Sequence, residues 1–172
     1  MFSKTINKLL FDYDNLSGEE VYSLASKIPN KLLRWLGANH PDNRTRKVFL
    51  ELTNISIGKD TVINQNFIVS DDYKKLLKIG SRVAISPNVT IICSSSPNNS
   101  NLNRNLYVNK KLIKSEKVII EDDVWIGANT VIMPGVKIGK NTIIGAGSIV
   151  VKSLDADSVY AGTPAKLLRK LN

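Results

Sequence analysis

The stretch IEDDVWIGANTVIMPGVKIGKNTIIGAGSIV, residues 120–150, returns to an aliphatic side chain at every sixth position: Ile120, Ile126, Ile132, Ile138, Ile144 and Val150. An amphipathic helix needs apolar residues three and four apart, and a half-buried strand needs strict alternation, so a six-residue period fits neither. It is the signature of a β-solenoid, whose short repeats stack on one another. Four places after each leader stands a small or branched residue: Val124, Thr130, Val136, Thr142, Ser148 and Leu154. Each unit thus supplies one flat strand with a branched side chain inside a narrow prism, then a corner where Gly127, Gly135, Gly139 and Gly145 relieve backbone crowding. Three units make one coil.

The same rhythm runs upstream through Ile57, Ile63 and Val69 and again through Ile79, Ile85 and Ile91, with Thr61, Phe67, Val83 and Val89 four places behind their leaders. A β-sandwich would show turn signals every eight to twelve residues without memory of phase, whereas here the phase survives two interruptions. Those interruptions, 71–78 and 94–117, are polar or charged and read as loops leaving a continuous prism. Before the prism, 18–36 reads as one or two amphipathic helices broken at Pro29, and 43–52 as another. The expected organisation is a helical region over 1–52, the solenoid over 53–164, and a short helical tail over 165–172. Leu167, Leu168 and Leu171 would share one face of that tail. The helices are expected to cover the open end of the prism, which otherwise exposes an apolar cross-section and unpaired strand edges.

At 172 residues the length suits one domain with a helical attachment. A lone Cys93 excludes an intramolecular disulfide, and the N-terminal segment lacks the apolar core and cleavage site of a signal peptide. No stretch approaches the length of a membrane span, so the expected compartment is the cytoplasm. The net charge of +9 calls for an anionic partner. Nucleic acid is disfavoured, because aromatic residues make up only 6% of the chain and the basic residues are scattered rather than gathered on a recognition element. A phosphorylated small molecule fits better.

Val124-Trp125-Ile126-Gly127, Ile132-Met133-Pro134-Gly135-Val136, Ile144-Gly145-Ala146-Gly147-Ser148 and the ending Tyr160-Ala161-Gly162-Thr163-Pro164-Ala165-Lys166 resemble the hexapeptide-repeat acyltransferases. The nearest branch resembles the maltose, galactoside and nodulation-factor O-acetyltransferases and their relatives in polysaccharide gene clusters. The resemblance implies a left-handed parallel β-helix, against the right-handed default for crossovers. It also implies a homotrimer with acetyl-coenzyme A as acyl donor in the groove between subunits. On that footing Gly127, Ala128, Gly145 and Ala146 face the pantetheine arm, Lys152, Lys166 and Arg169 the phosphates, and Pro164 and Ala165 the adenine. Asn64 matches the acceptor-contacting asparagine, Asp71 orients the acceptor or a base, and Trp125 packs beside the reacting centre. The acceptor is expected to be a hydroxyl or amine of a sugar or polysaccharide precursor, held near Asn64 and the Ser94, Ser95, Ser96 run.

One residue departs from the pattern. The family's catalytic histidine precedes a proline after a strand of the type Val89-Thr90-Ile91-Ile92, and here that position is Ser96, before Pro97. A serine hydroxyl is a very weak base unless another group activates it. Three accounts follow: another base such as Asp71, Asp122 or Asp123; an acceptor amine that is already nucleophilic, or a carboxylate of the substrate; or a transferase-like binding protein with little activity. The lone imidazole, His40, sits in a turn and reads as a structural residue. One histidine also cannot supply the three zinc ligands of the γ-class carbonic anhydrases, which use the same prism.

Overall fold

The computed structural model describes residues 2–171 and the side chains of 4–171. Short parallel strands stack into three sheets that enclose one apolar interior. Sheet I contains Ser56–Ile57, Leu77–Ile79, Val118–Ile120 and Lys137–Ile138. Sheet II contains Val62–Ile63, Ala84–Ile85, Trp125–Ile126 and Ile143–Ile144, and sheet III contains Ile68–Ser70, Thr90–Ile92, Val131–Ile132 and Ile149–Val150. The chain visits I, II and III in turn, then begins the next coil. Register keeps the period: Ile126 pairs with Ile85 and Ile144, and Ile132 with Ile91 and Val150.

Both members of each repeat point inward. Ile63, Ile85, Ile91, Ile126, Ile132 and Ile138 are fully buried, and so are Phe67 and Val89 four places behind their leaders. Hydroxyl residues in the same inner positions donate to corner carbonyls, Thr130 Oγ1 to Gly127 O at 2.7 Å and Ser148 Oγ to Gly145 O at 2.6 Å. Such pairing removes the penalty of burying them. The bend falls three places after each leader, where Asp60, Asn66, Arg82, Asn88, Asp123, Asn129 and Asn141 all take φ between 54° and 61°. Asn and Asp tolerate this left-handed region better than other side chains, and Gly135 and Gly147 fill the same slot. Gly127 answers a different demand, close approach: a Cβ there would lie 2.5 Å from the Ala146 nitrogen one coil below.

Four helices cover the head of the prism: α1 (Phe2–Phe11), α2 (Gly18–Ala25), α3 (Asn30–Asn39) and α4 (Asn43–Leu52). The stretch 18–36 therefore holds two helices, with Pro29 opening the second. A reciprocal capping box of Ser17 and Glu20 starts α2, and Asp42 accepts the Thr45 N–H at 2.7 Å to start α4. Leu9, Val21, Leu33, Leu36 and Phe49 give the cap its own core. His40 belongs to that core, with Nε2 2.8 Å from Leu9 O, Nδ1 accepting from Asp42 N, and Tyr13 and Phe49 edge-on to its ring. The cap also pairs the first coil's open edge: Asn43 Oδ1 accepts the Ile63 N–H, Arg46 Nε donates to Ile63 O, and Asn66 N donates to Ala38 O.

The tail corrects the sequence reading. Residues 166–170 form a strand, Lys166–Lys170, antiparallel to Ser158–Ala161 at the far edge of sheet II, and no helix. The leucine spacing suggested one helical face, yet Leu167, Leu168 and Leu171 stay substantially exposed. The backbone of an unpaired edge decided the conformation in place of an apolar stripe. The longer insertion also has structure of its own. Ser94–Ser95 and Lys114–Ser115 pair antiparallel as a neck, and Leu102, Leu106 and Tyr107 lie exposed beyond it.

This register predicts unequal costs for adjacent isoleucines on one strand. Ile144→Ala, facing the interior, should cost about 2–5 kcal/mol in denaturant unfolding. Ile143→Ala, facing outward on the same strand, should cost less than half as much.

Candidate functional site

Residues that follow the buried leaders of sheet II form a column along the corner between sheets II and III. Asn64, Ser86, Gly127 and Gly145 follow Ile63, Ile85, Ile126 and Ile144, which are in register. Gly127 N donates to Ile144 O and Gly145 N to Tyr160 O, each at 2.8 Å, so both glycine amides serve the coil ladder. Their lack of a side chain is explained by stacking as well, since a Cβ on Gly145 would meet Ala161 Cβ at 2.8 Å. The free groups belong to the next residues: among the described residues, neither the Ala128 nor the Ala146 N–H has a partner. Two unpaired donors thus lie one coil apart on an exposed corner. Asn64 uses its Nδ2 on Ile85 O at 2.9 Å, which leaves its amide oxygen open.

The column continues into the C-terminal segment. Ile149 N donates to Gly162 O and Ala165 N to Ile149 O, which draws Pro164 and Ala165 to the foot of the same corner. Lys166 and Arg169 project from the last strand, both exposed. Trp125 stands on the outer face of sheet II between Ala84 and Ile143, 56% exposed.

The serine run lies elsewhere. Ser94, Ser95 and Ser96 leave the second coil at the corner between sheets III and I, and Lys152 occupies that same corner two coils further along. A single chain therefore does not unite the serines with the glycine and alanine column, because the width of sheet III separates them. Ser96 is exposed and turned onto Asn98, donating to Oδ1 at 3.2 Å and accepting the Asn98 N–H at 3.4 Å, and no base touches it. Burial, reinforced by nearby Asp71, pushes the adjacent Cys93 thiol up to about 11, so it stays protonated inside the prism.

The carboxylates sort themselves by corner. Asp71 is 2% exposed and gripped by Arg34, with Nη1 at 3.0 Å from Oδ1 and Nη2 at 3.2 Å from Oδ2, and it also accepts the Tyr73 N–H. Buried and accepting three hydrogen bonds, it is engaged in joining α3 to the first coil. Asp122 and Asp123 lie at the corner between sheets I and II, away from every other candidate. Asp122 accepts the Ser81 N–H, and the bidentate Arg82 clamp at 2.6 and 2.7 Å holds the Asp123 carboxyl below its usual range. The acid that does reach the serine run is Asp72, which sequence reasoning passed over. It is exposed and accepts from Ser94 Oγ at 2.6 Å. Its backbone φ of 52° turns it away from the direction of Asp71, and that turn residue was the available signal.

Residues 117–152 match the family of bacterial transferase hexapeptide repeats (six repeats). The chain carries that repeat and resembles the galactoside and maltose O-acetyltransferases. It is 40% identical over 122 residues to galactoside O-acetyltransferase of Escherichia coli K12, a match covering 70% of this chain and 56% of that one. The chain thus spans little more than half the length of that curated relative. Among solved structures, a hexapeptide-repeat acetyltransferase of Vibrio cholerae complexed with acetyl-coenzyme A is similar with a TM-score of 0.65. The two are 25% identical, with 90% of this chain and 88% of that chain covered. A galactoside acetyltransferase in complex with coenzyme A is similar with a TM-score of 0.62 at 27% identity, covering 86% and 81%. Among the described residues, no helix is long and apolar enough to cross a membrane.

The two adjacent aspartates should separate cleanly in stability measurements. Arg34→Met strands the buried Asp71 carboxylate and should cost about 3–5 kcal/mol in denaturant unfolding. Asp72→Asn, at an exposed site, should stay within about 0.5 kcal/mol of the parent.

Proposed function

We propose that the protein is a homotrimeric acetyltransferase that moves acetyl from acetyl-coenzyme A to a hydroxyl or amine of a sugar or polysaccharide precursor, on a left-handed coil. The observation that carries this reading is the division of the candidate residues between two corners of one chain. Apposing the II–III corner of one protomer to the III–I corner of the next brings the halves together, and threefold packing does this at three equivalent grooves. The outer faces agree. Sheet II presents Trp125, Ile143 and Val159 below the first coil and sheet III presents Val131 and Ile149 there, whereas sheet I presents Ser56, Lys78, Ile119 and Lys137. Two apolar faces are suited to contact and the charged one to water.

Each groove then has a direction. Pantetheine amides meet the free Ala128 and Ala146 N–H groups, the phosphates fall near Lys152, Lys166 and Arg169, and the thioester points toward Trp125 and the serines. The acceptor, held by Asn64, bonds to the carbonyl carbon, and the carbon–sulfur bond breaks. The departing thiolate takes up the proton the acceptor gives away. With Ser96 in the histidine position, the contact between Asp72 and Ser94 supports Asp72 as the carboxylate that takes the acceptor's proton and passes it on to the thiolate. A second reading, a transferase-like protein with little activity, is favoured by one observation: Ser96 has no activating partner.

Titration calorimetry with acetyl-coenzyme A, thiol release over a panel of sugars and light scattering test the proposal together. A trimer that binds the donor and releases thiol in the presence of a sugar supports it. A monomer, or a chain without donor affinity, overturns it, and donor binding without turnover on any acceptor favours the second reading. Lys152→Ala and Lys166→Ala should each weaken donor binding several-fold. Ser96→His should raise thiol release by about ten-fold or more, at the low end of or below the usual gain from a positioned base.

A further inference from the structure

A cavity of about 600 Å³ opens between α3 and the first strand of sheet III, at the head of the same II–III corner. Its size lies within the range of about 300–1,000 Å³ usual for small-molecule sites. Trp35 stands on the helical wall with 61% of its surface exposed, and Ile68 on the opposite wall is 55% exposed. A large indole left open above an apolar wall offers a flat stacking surface.

The polar groups converge on the same space. Asn66 Nδ2 donates to Asn88 Oδ1 at 3.0 Å, so the Asn66 oxygen and the Asn88 nitrogen remain for a ligand among the described residues. That pair offers one acceptor and one donor side by side, the pattern that fits vicinal hydroxyls. Tyr73 closes the wall with a φ of 57°, a costly conformation for an aromatic residue. Its N–H is held by Asp71 and its carbonyl by Asn54.

Charge narrows the ligand further. Arg34 lies 5.1 Å from the Tyr73 ring, but its donors are taken by Thr53, Val69 and Asp71. Lys31, one turn before Trp35, makes no ion pair among the described residues, and no carboxylate lines the cavity. A free cation beside a stacking face and a pair of amides is matched by a pyranose that bears a carboxylate.

We infer that this cavity recognises the acceptor and that the acceptor is a saccharide carrying a uronic-acid type carboxylate. The ring stacks on Trp35, hydroxyls meet Asn66 and Asn88, and the carboxylate meets Lys31 Nζ in a charge-assisted bond. Only the role as acceptor rests on the acetyl-transfer reading.

Calorimetric titration of the unsubstituted chain with galacturonate should give a saturable heat, and galactose should bind at least ten-fold more weakly. Lys31→Met should erase the preference for galacturonate, and Trp35→Ala should abolish binding of both sugars by saturation-transfer NMR. Equal affinity for the two sugars, no response to either, or an unchanged preference in Lys31→Met overturns the inference. Acetyl-coenzyme A binding without any saccharide response sinks the pocket and spares the transferase. The reverse pattern sinks the transferase and leaves a saccharide-binding site.

Discussion

Hydrogen bonding between successive coils sets the terms for everything else in the molecule. A strand of two residues has only two donors and two acceptors, and it is held only where the coils on either side present matching groups. Ile126 is fixed by Ile85 on one side and Ile144 on the other, and its side chain fills the prism because that register does. A residue added inside a strand would turn the next inward aliphatic outward. Extra sequence is therefore confined to corners, and both insertions, before Leu77 and between Cys93 and Val118, leave and return at the corner between sheets III and I. Both insertions thus fall on one edge of the prism, the edge that carries the serine run.

A stack held together this way has two raw ends, and the chain finishes them by different means. At the head, side chains of Asn43 and Arg46 and the backbone of Ala38 take the place of a missing coil, so the helices must be positioned to within hydrogen-bond length. They achieve that with a separate core, and His40 is part of it. Arg34 joins the two units, reaching from α3 to Val69 O and to the buried Asp71 carboxylate. At the tail, a strand simply turns back on its neighbour, with Ser158 opposite Lys170 and Ala161 opposite Lys166.

These differences explain what could be read from residues alone. The inward positions were legible because each one is set by a local demand repeated every six residues. Helices α2 and α3 were legible from their three- and four-residue spacing and α4 was expected beside them, whereas α1 was covered only by a general expectation of a helical region. The tail was not, because five residues with leucines at 167, 168 and 171 satisfy a helical pattern, and only the open edge of sheet II decides otherwise. Asp71 and Asp72 are adjacent and chemically identical, so their fates depend on which way a left-handed turn sends each side chain. Gly127 and Gly145 stand half-buried at the corner between sheets II and III. Which amides stay free there depends on partners one coil away, and that shifts the open donors to Ala128 and Ala146.

On the proposed acetyl-transfer reading, the absence of an imidazole at the Ser96 position has to be weighed against what the corner column offers. A positioned general base contributes about 10²–10⁴ in rate. Holding two reactants in attack geometry is worth far more, with effective concentrations of about 10⁵–10⁸ M in well-oriented systems. The groups proposed for that larger task, the Ala128 and Ala146 amides, the Asn64 carboxamide oxygen and the basic tail, are set by the same ladder that holds the prism together. Loss of the base therefore removes the smaller factor and leaves the scaffold for the larger one. An amine acceptor, which attacks before it gives up its proton, would feel the loss least, and a sugar hydroxyl would depend most on the Asp72 carboxylate beside Ser94.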